Sequence, residues 1–290
     1  MTLALMMDYL PFPGETHDGS GTSRIKFGVS SRQFIGFIRA NYGKWFPNLL
    51  ERSQFNRRLR KLGDDIEILR RTWVRKLGGE NANSFVIDTK PIPVIGYRRS
   101  KKHSDFDGSA DYGYCAARKM SARHAASQAA CAIALLNYFG YKLVVLSTLK
   151  GLPVAYDLVP ANTDERKAVE GVLQVVHGSD IYGDKGFIGQ EWQSQIMDST
   201  ANRIWTIARE NQHHQHSSDL KRLISRVRQR VEGVFHEIQN TGRNPERLLN
   251  KTIGGLATHM ALKITSHTLR LFLRDRFGID ILTFQSLSTY

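Results

Sequence analysis

Two apolar runs placed back to back constrain this chain more than any other feature. YKLVVLSTL (141–149) and LPVAYDLVP (152–160) are parted only by Lys150-Gly151. Runs of this length, rich in Val and Leu and joined by a glycine-containing turn, read as a β-hairpin. Around it, SFVIDTKPIPVIGY reads as a strand ending near Asp88, with Pro91 and Pro93 forbidding a helix beyond it. ANTDERKAVEGVLQVV reads as a helix capped by Asn162 or Thr163, with Glu165 in its first turn. DIYGDKGF is a short strand reaching Asp184, GQEWQSQIMDS a helix and NRIWTIA a strand. From Ser218 to Asn240 apolar side chains recur at helical spacing (Leu220, Leu223, Ile224, Val227, Val231, Val234, Phe235, Ile238), and a last helix spans about Ile253 to Phe277. The alternation predicts an α/β fold, a mixed sheet with helices packed on it.

The segment before this pattern differs. Residues 1–78 hold a Gly- and Ser-rich patch (GETHDGSGTSR) and two stretches of helical periodicity, one around Phe34–Ile38 and one from Leu59 to Trp73, with many Arg and Lys between the apolar positions. It reads as a basic helical region, either a DNA-binding module or a plain helical cap. Residues 79–290 then form the main domain. The whole chain carries 41 Lys and Arg against 27 Asp and Glu, a formal charge of +14. Such an excess suits a polyanionic partner, because cations that neutralise phosphates release condensed counterions. Cys115 and Cys131 form neither a metal spacing nor a disulfide framework, which suits a reducing compartment. The opening MTLALMMDYL lacks the basic start and cleavage site of a secretory signal, and no stretch has the length of an uncharged membrane span. The expectation is a cytoplasmic, nucleoid-associated protein with no membrane partner.

The chemistry lies in carboxylates placed where they are costly. Asp88 follows Phe85-Val86-Ile87 and Asp184 follows Ile181-Tyr182-Gly183. An acidic group at the end of a buried strand needs compensation, and two that converge on one sheet edge repel unless a cation lies between them. Mg²⁺ takes oxygen ligands and is commonly held by one or two carboxylates plus substrate phosphates. Asp184, before Lys185-Gly186, also makes an ordinary turn residue. A third carboxylate is expected from the long helix, which offers Glu232 and Glu237. At 100° per residue these flank the apolar stripe on opposite sides, so periodicity leaves the choice open.

Four stretches in order, FVIDTKPIPV, YFGYKLVVLSTLKGLPVAYDLVPANTDER, DIYGDKGFIG and RVRQRVEGVFHEIQNTGRNPERL, resemble the insertion-sequence transposases of the IS982 family. That family belongs to the larger group using an Asp-Asp-Glu triad on an RNase H-like fold. WFPNLLERSQFNRRLRKL resembles the family's early segment. The resemblance implies that Asp88, Asp184 and Glu232 hold the metal, Glu232 being preferred because Arg226, Arg230, Val231-Glu232 and Phe235 match the family's helix. Glu237 is then a surface residue. It implies Mg²⁺, with Mn²⁺ able to substitute. It further implies double-stranded DNA as partner, at the terminal repeats of the element and at its target, engaged by a homodimer. Lys185, Arg226 and Arg230 are candidate phosphate contacts.

Two segments depart from the family pattern: HDGSGTSRIKFGVSSRQ, near 17–33, and an insertion at about 121–137, SARHAASQAACAIALLN. They favour one alternative, a decayed transposase that only binds DNA; a further alternative is an RNase H-like nuclease or resolvase that never joins strands. His213, His214 and His216 lie in a polar loop and read as solvated or as a phosphate contact rather than a metal site. Asp105 and Asp107 read as solvated. Asp164 is a helix cap or a support of the metal site.

Overall fold

The computed structural model describes residues 1–9, 13–17, 23–27, 31–95, 101–114, 137–208, 217–241 and 250–280. The alanine-rich run Met120 to Leu136, and with it the insertion at about 121–137 apart from Asn137, the three loop histidines, both cysteines and RNPERL (243–248) lie outside the described residues. The chain divides into two compact units, Gly78–Phe235 and Met1–Leu77 together with His236–Tyr290.

The first unit is built on a six-stranded sheet with helices, the mixed α/β arrangement the sequence predicts and one consistent with an RNase H-like fold. Its strands are β3 (Ser84–Ile95), β4 (Asp111–Tyr114), β5 (Asn137–Thr148), β6 (Pro153–Pro160), β7 (Asp180–Gly183) and β8 (Arg203–Thr206). The order is β4-β5-β3-β7-β8, with β6 also on β5. β4 and β6 share one edge of β5: Asn137–Gly140 pair with β4, and Tyr141–Ser147 with β6. β5 and β6 are the expected hairpin, antiparallel across the Lys150-Gly151 turn. On the other side β5 runs antiparallel to β3, while β7 and β8 run parallel to it in sequence. Phe85, Val86, Ile87, the run Leu143–Leu146 and Ile181 are all buried, so the middle of the sheet is covered on both faces. The chain approaches itself closely where β5 meets β3, since a Cβ on Gly140 would run into the Ile92 carbonyl oxygen. Helices α5 (Glu165–Leu173) and α6 (Gln190–Thr200) provide the crossovers between β6, β7 and β8. Asn202, fully buried, ties these connections together by donating to the carbonyls of Leu173 and Val176 and accepting from the Ser179 amide. Helix α7 (Ser218–Asn240) contributes its residues up to Phe235, with Ile224, Val227, Val231, Val234 and Phe235 buried.

The second unit is helical apart from a short antiparallel pair, β1 (Pro13–His17) and β2 (Ser23–Phe27). Its helices are α1 (Thr2–Tyr9), α2 (Ser31–Tyr42), α3 (Arg52–Lys61), α4 (Gly63–Lys76) and α8 (Ile253–Phe277). α8 is the core helix: Leu256, Met260, Leu262, Ile264 and Leu271 are buried, and Phe272 stacks on Trp73 of α4 with ring centroids 6.0 Å apart. Among the described residues no helix is long and apolar enough to cross a membrane.

Several local expectations are corrected. The first strand does not end near Asp88 but continues through both prolines to Ile95, with Pro91 opposite Lys142 and Pro93 opposite Gly140. β7 pairs with β3 only over Ser84–Val86, which leaves one side of β3 free beyond that point. A proline can lack its N–H there without breaking a ladder. The stretch YRRSKKHSDFDGSADYGY (97–114), which reads as a polar loop, ends in strand β4. The stretch expected as one run from Leu59 to Trp73 breaks at Leu62-Gly63, where Arg58, Arg60 and Lys61 close α3 and Asp64 and Asp65 open α4, each set on the favourable side of the helix dipole. The cap of α5 is Asp164, whose carboxylate accepts from the Arg166 amide at 3.0 Å, rather than Asn162 or Thr163.

Candidate active site

The last paired residues of β3 and β7 are Val86 and Tyr182. Carried two residues further, the same parallel register sets Asp88 beside Asp184, and residues paired this way project to the same face of a sheet. Asp88 still lies within β3, opposite Val145 of β5. Asp184 is the first residue past β7, caps the short 3₁₀ turn Lys185–Phe187, and accepts the Lys185 amide at 2.6 Å. The two aspartates are therefore placed by one structural fact, the pairing of the strands that carry them.

Glu232 joins them through a residue the sequence analysis missed. Arg228 stands four positions before Glu232 on α7 and so on the same helical face. Its Nη1 lies 3.3 Å from Asp184 Oδ1 and its Nη2 3.9 Å from Glu232 Oε1. The side chain is 22% exposed, against 46% for Asp184 and 59% for Glu232. Its Nε is buried without a hydrogen-bond partner. The guanidinium is thus drawn into the carboxylates by charge rather than by a full set of hydrogen bonds. The signal was in the sequence: Arg226 and Arg230 match the resemblance, yet at 100° per residue they point 120° and 160° away from Glu232, whereas Arg228 is only 40° away. Arg226 and Arg230 are both exposed, as is Lys185, and among the described residues none of the three takes part in an ion pair. Glu237, expected at the surface, is instead mostly shielded and engaged by His267 and Arg270, all in the other unit.

The electrostatics record the crowding. Burial pushes the Asp88 carboxyl from 3.8 up to about 6. The Thr89 amide, 2.8 Å from Asp88 Oδ1, and the positive charge of Arg228 pull it back down, while the charges of Asp184 and Glu232 push it further up. A carboxyl so placed gains by the approach of a cation.

A family model for the transposase DDE domain matches residues 78–244, more than half of the chain. The chain belongs to that family. It is therefore a DNA-transposition enzyme of the phosphoryl-transfer class, a DNA-binding protein whose family generally works with a divalent metal. No curated protein and no solved structure matches the chain.

The fit of this DDE transposase to a divalent metal is partial in geometry and good in chemistry. Among the described residues no three His, Cys, Asp or Glu side chains are gathered closely enough to hold an ion. The three carboxylates nevertheless offer only hard oxygen donors, the set a Mg²⁺-type ion takes. Their mutual repulsion is answered by the Arg228 guanidinium. Asp164, by contrast, is spent on the α5 cap and on Arg166. Asp105 and Asp107 are exposed in the turn before β4, as expected.

Proposed function

We propose that this enzyme is an insertion-sequence transposase of the IS982 type, with Asp88, Asp184 and Glu232 as the carboxylates that hold Mg²⁺, Mn²⁺ being able to substitute. What carries the reading is the β3–β7 register, which sets the two aspartates side by side at a sheet edge, with Glu232 tied to them through Arg228. When bound, the metal would supply Lewis-acid polarisation of a phosphodiester and a nucleophilic oxygen at neutral pH. The protein's own part is positional. Rigid β3 and the capped turn after β7 fix two carboxylates, and α7 brings the third on an exposed side chain that can adjust. None of them needs to move a proton, and the dry side of Asp88 strengthens any charge interaction made there.

Lys185, next to Asp184, is the cation best placed to meet the phosphate chain entering this edge. Arg226 and Arg230, one helical turn apart on another face of α7, suit a flanking stretch of the same duplex. The basic helical region 1–78 supplies further DNA affinity ahead of the catalytic domain, and a homodimer pairs two element ends. The test is cleavage of duplex DNA bearing the element ends: Asp88→Asn abolishes cleavage and joining while duplex binding stays measurable. Cleavage by that variant with Mg²⁺ would overturn the assignment.

A further inference from the structure

Within the helical unit, a cavity of about 420 Å³ opens between α3 and the start of α8. Arg52, Asn56 and Arg60 line it from one face of α3, at the i, i+4, i+8 spacing of a single helical stripe. Ser31, Lys251 and Thr252 line the other side. No Asp or Glu is among its described lining residues.

Some of the charge elsewhere in this unit is paired. Arg39 meets Glu51, Arg70 and Arg71 meet Glu67, and Arg270 meets Glu237 and Asp280. Asp8 is fully buried and lies 3.2 Å from His259, one of the residues lining the cavity. Arg52, Arg60 and Lys251 are all exposed, and none takes part in an ion pair among the described residues. The first turn of α8, which begins at the rim, also carries no acidic side chain, although that is where one is most favourable. Three unpaired cations around a concave, hydrogen-bonding pocket make a site for a small, hard anion on a larger body. Asn56, whose amide donates to Ser31 at 3.1 Å, and the Thr252 hydroxyl add neutral partners of the kind that hold phosphate oxygens.

We infer that this cavity seats a phosphodiester group of duplex DNA, clamped by Arg52, Arg60 and Lys251, as a contact separate from the catalytic carboxylates. The proposed function supplies the identity of the polyanion; the pocket itself stands on its own residues. A contact of this kind holds the duplex in place and carries no sequence information.

The test is binding of the full chain to a random-sequence 30-base-pair duplex, followed by fluorescence anisotropy in EDTA at 50 to 200 mM salt. The triple variant Arg52→Gln/Arg60→Gln/Lys251→Gln should flatten the log–log salt dependence by about 0.9, the value for the one phosphate seated, so its affinity falls roughly 3.5-fold less than that of the native chain over that range. Asn56→Trp fills the cavity without altering charge and should weaken duplex binding as well. The double variant Arg57→Gln/Lys61→Gln, exposed on another face of α3, should change the slope by less than half as much.

An unchanged slope in the triple variant overturns the inference. So does an Asn56→Trp protein that binds as the native one, or an Arg57/Lys61 control with the full effect, since either means diffuse attraction rather than a seat. Competition by millimolar inorganic phosphate that matches that of the duplex, phosphate for phosphate, would also overturn it in favour of a free-anion site. Because no metal is present, the outcome is independent of the catalytic reading: continued cleavage by Asp88→Asn removes that reading and leaves this one standing.

Discussion

Asp88→Asn should make the metal-free enzyme more stable, not less, above pH 6. Burial lifts the Asp88 carboxyl from 3.8 to about 6, with the charges of Asp184 and Glu232 adding to the rise. A group whose folded pKa lies above its unfolded value contributes stability that is complete below the unfolded pKa and is lost as pH rises through the folded one. For Asp88 that window runs from about 4 to about 6. A shift of roughly two units corresponds to about 3 kcal/mol, which sets the ceiling. Asparagine mimics the protonated carboxyl and can still accept from the Thr89 amide, whose pull on the charged form is already contained in the value of about 6. The net gain at pH 7.5 is therefore up to about 3 kcal/mol, or ~5 °C in Tm for 290 residues at ~2.1 cal/mol/K per residue. Thermal melts in EDTA from pH 4.5 to 8 should show native and variant proteins converging toward the acid end and separating above pH 6. Added Mg²⁺ should raise the native Tm alone. A variant that melts at or below the native temperature at pH 7.5, with no pH dependence in the difference, would refute the reasoning and make Asp88 an ordinary strand residue.

Arg228→Gln removes the positive charge that holds Asp88 down, so the Asp88 titration should move above 6, followed by carboxyl ¹³C shifts; an unmoved midpoint would mean that the guanidinium does not act on it. Gly140→Ala should destabilise the sheet unit by roughly 3 kcal/mol, because its Cβ meets the Ile92 backbone rather than a side chain able to turn aside; a denaturant midpoint unchanged from native would disprove the close approach. Lys185→Gln should lower single-turnover cleavage more than it lowers duplex affinity. Arg226→Gln/Arg230→Gln should do the reverse, and equal effects in both assays would dissolve the distinction between them. Phe187→Ala, which empties a fully buried site next to Asp184, should cost about 3–5 kcal/mol in urea unfolding.

The sheet was legible because its signals are local and consistent. The hairpin, the two short strands and the helices Ser218–Asn240 and Ile253–Phe277 fall where runs and periodicity put them. Several of the failures share a cause: they depend on a partner distant in sequence. β3 runs through Pro91 and Pro93 because β7 stops at Gly183, which no reading of residues 84–95 alone discloses. β4 is four residues long and exists because Asn137–Gly140 of β5 offer it an edge. α1 is short and apolar and packs on α8, which lies about 250 residues later. The break at Leu62-Gly63, by contrast, was readable, since basic and acidic residues change over at that point.

The two glutamates of α7 show where periodicity runs out and what replaces it. Helical geometry puts Glu232 and Glu237 on either flank of one apolar stripe, and nothing in hydrophobic spacing prefers either. Their partners do. Glu237 is shielded and engaged by His267 and Arg270, so releasing it for a ligand would break two shielded contacts and leave Arg270 to Asp280 alone. Glu232 is more than half exposed, and its partner Arg228 is 3.9 Å away and shared with Asp184, a loose contact that costs little to open. A carboxylate that must exchange one cation for another needs the second kind of environment. The same reasoning ranks the arginines: Arg228, at i−4 from Glu232, shares its face, while Arg226 and Arg230 turn away. Charge spacing along the helix, read relative to the acidic residue rather than to the apolar stripe, therefore identifies both members of the pair.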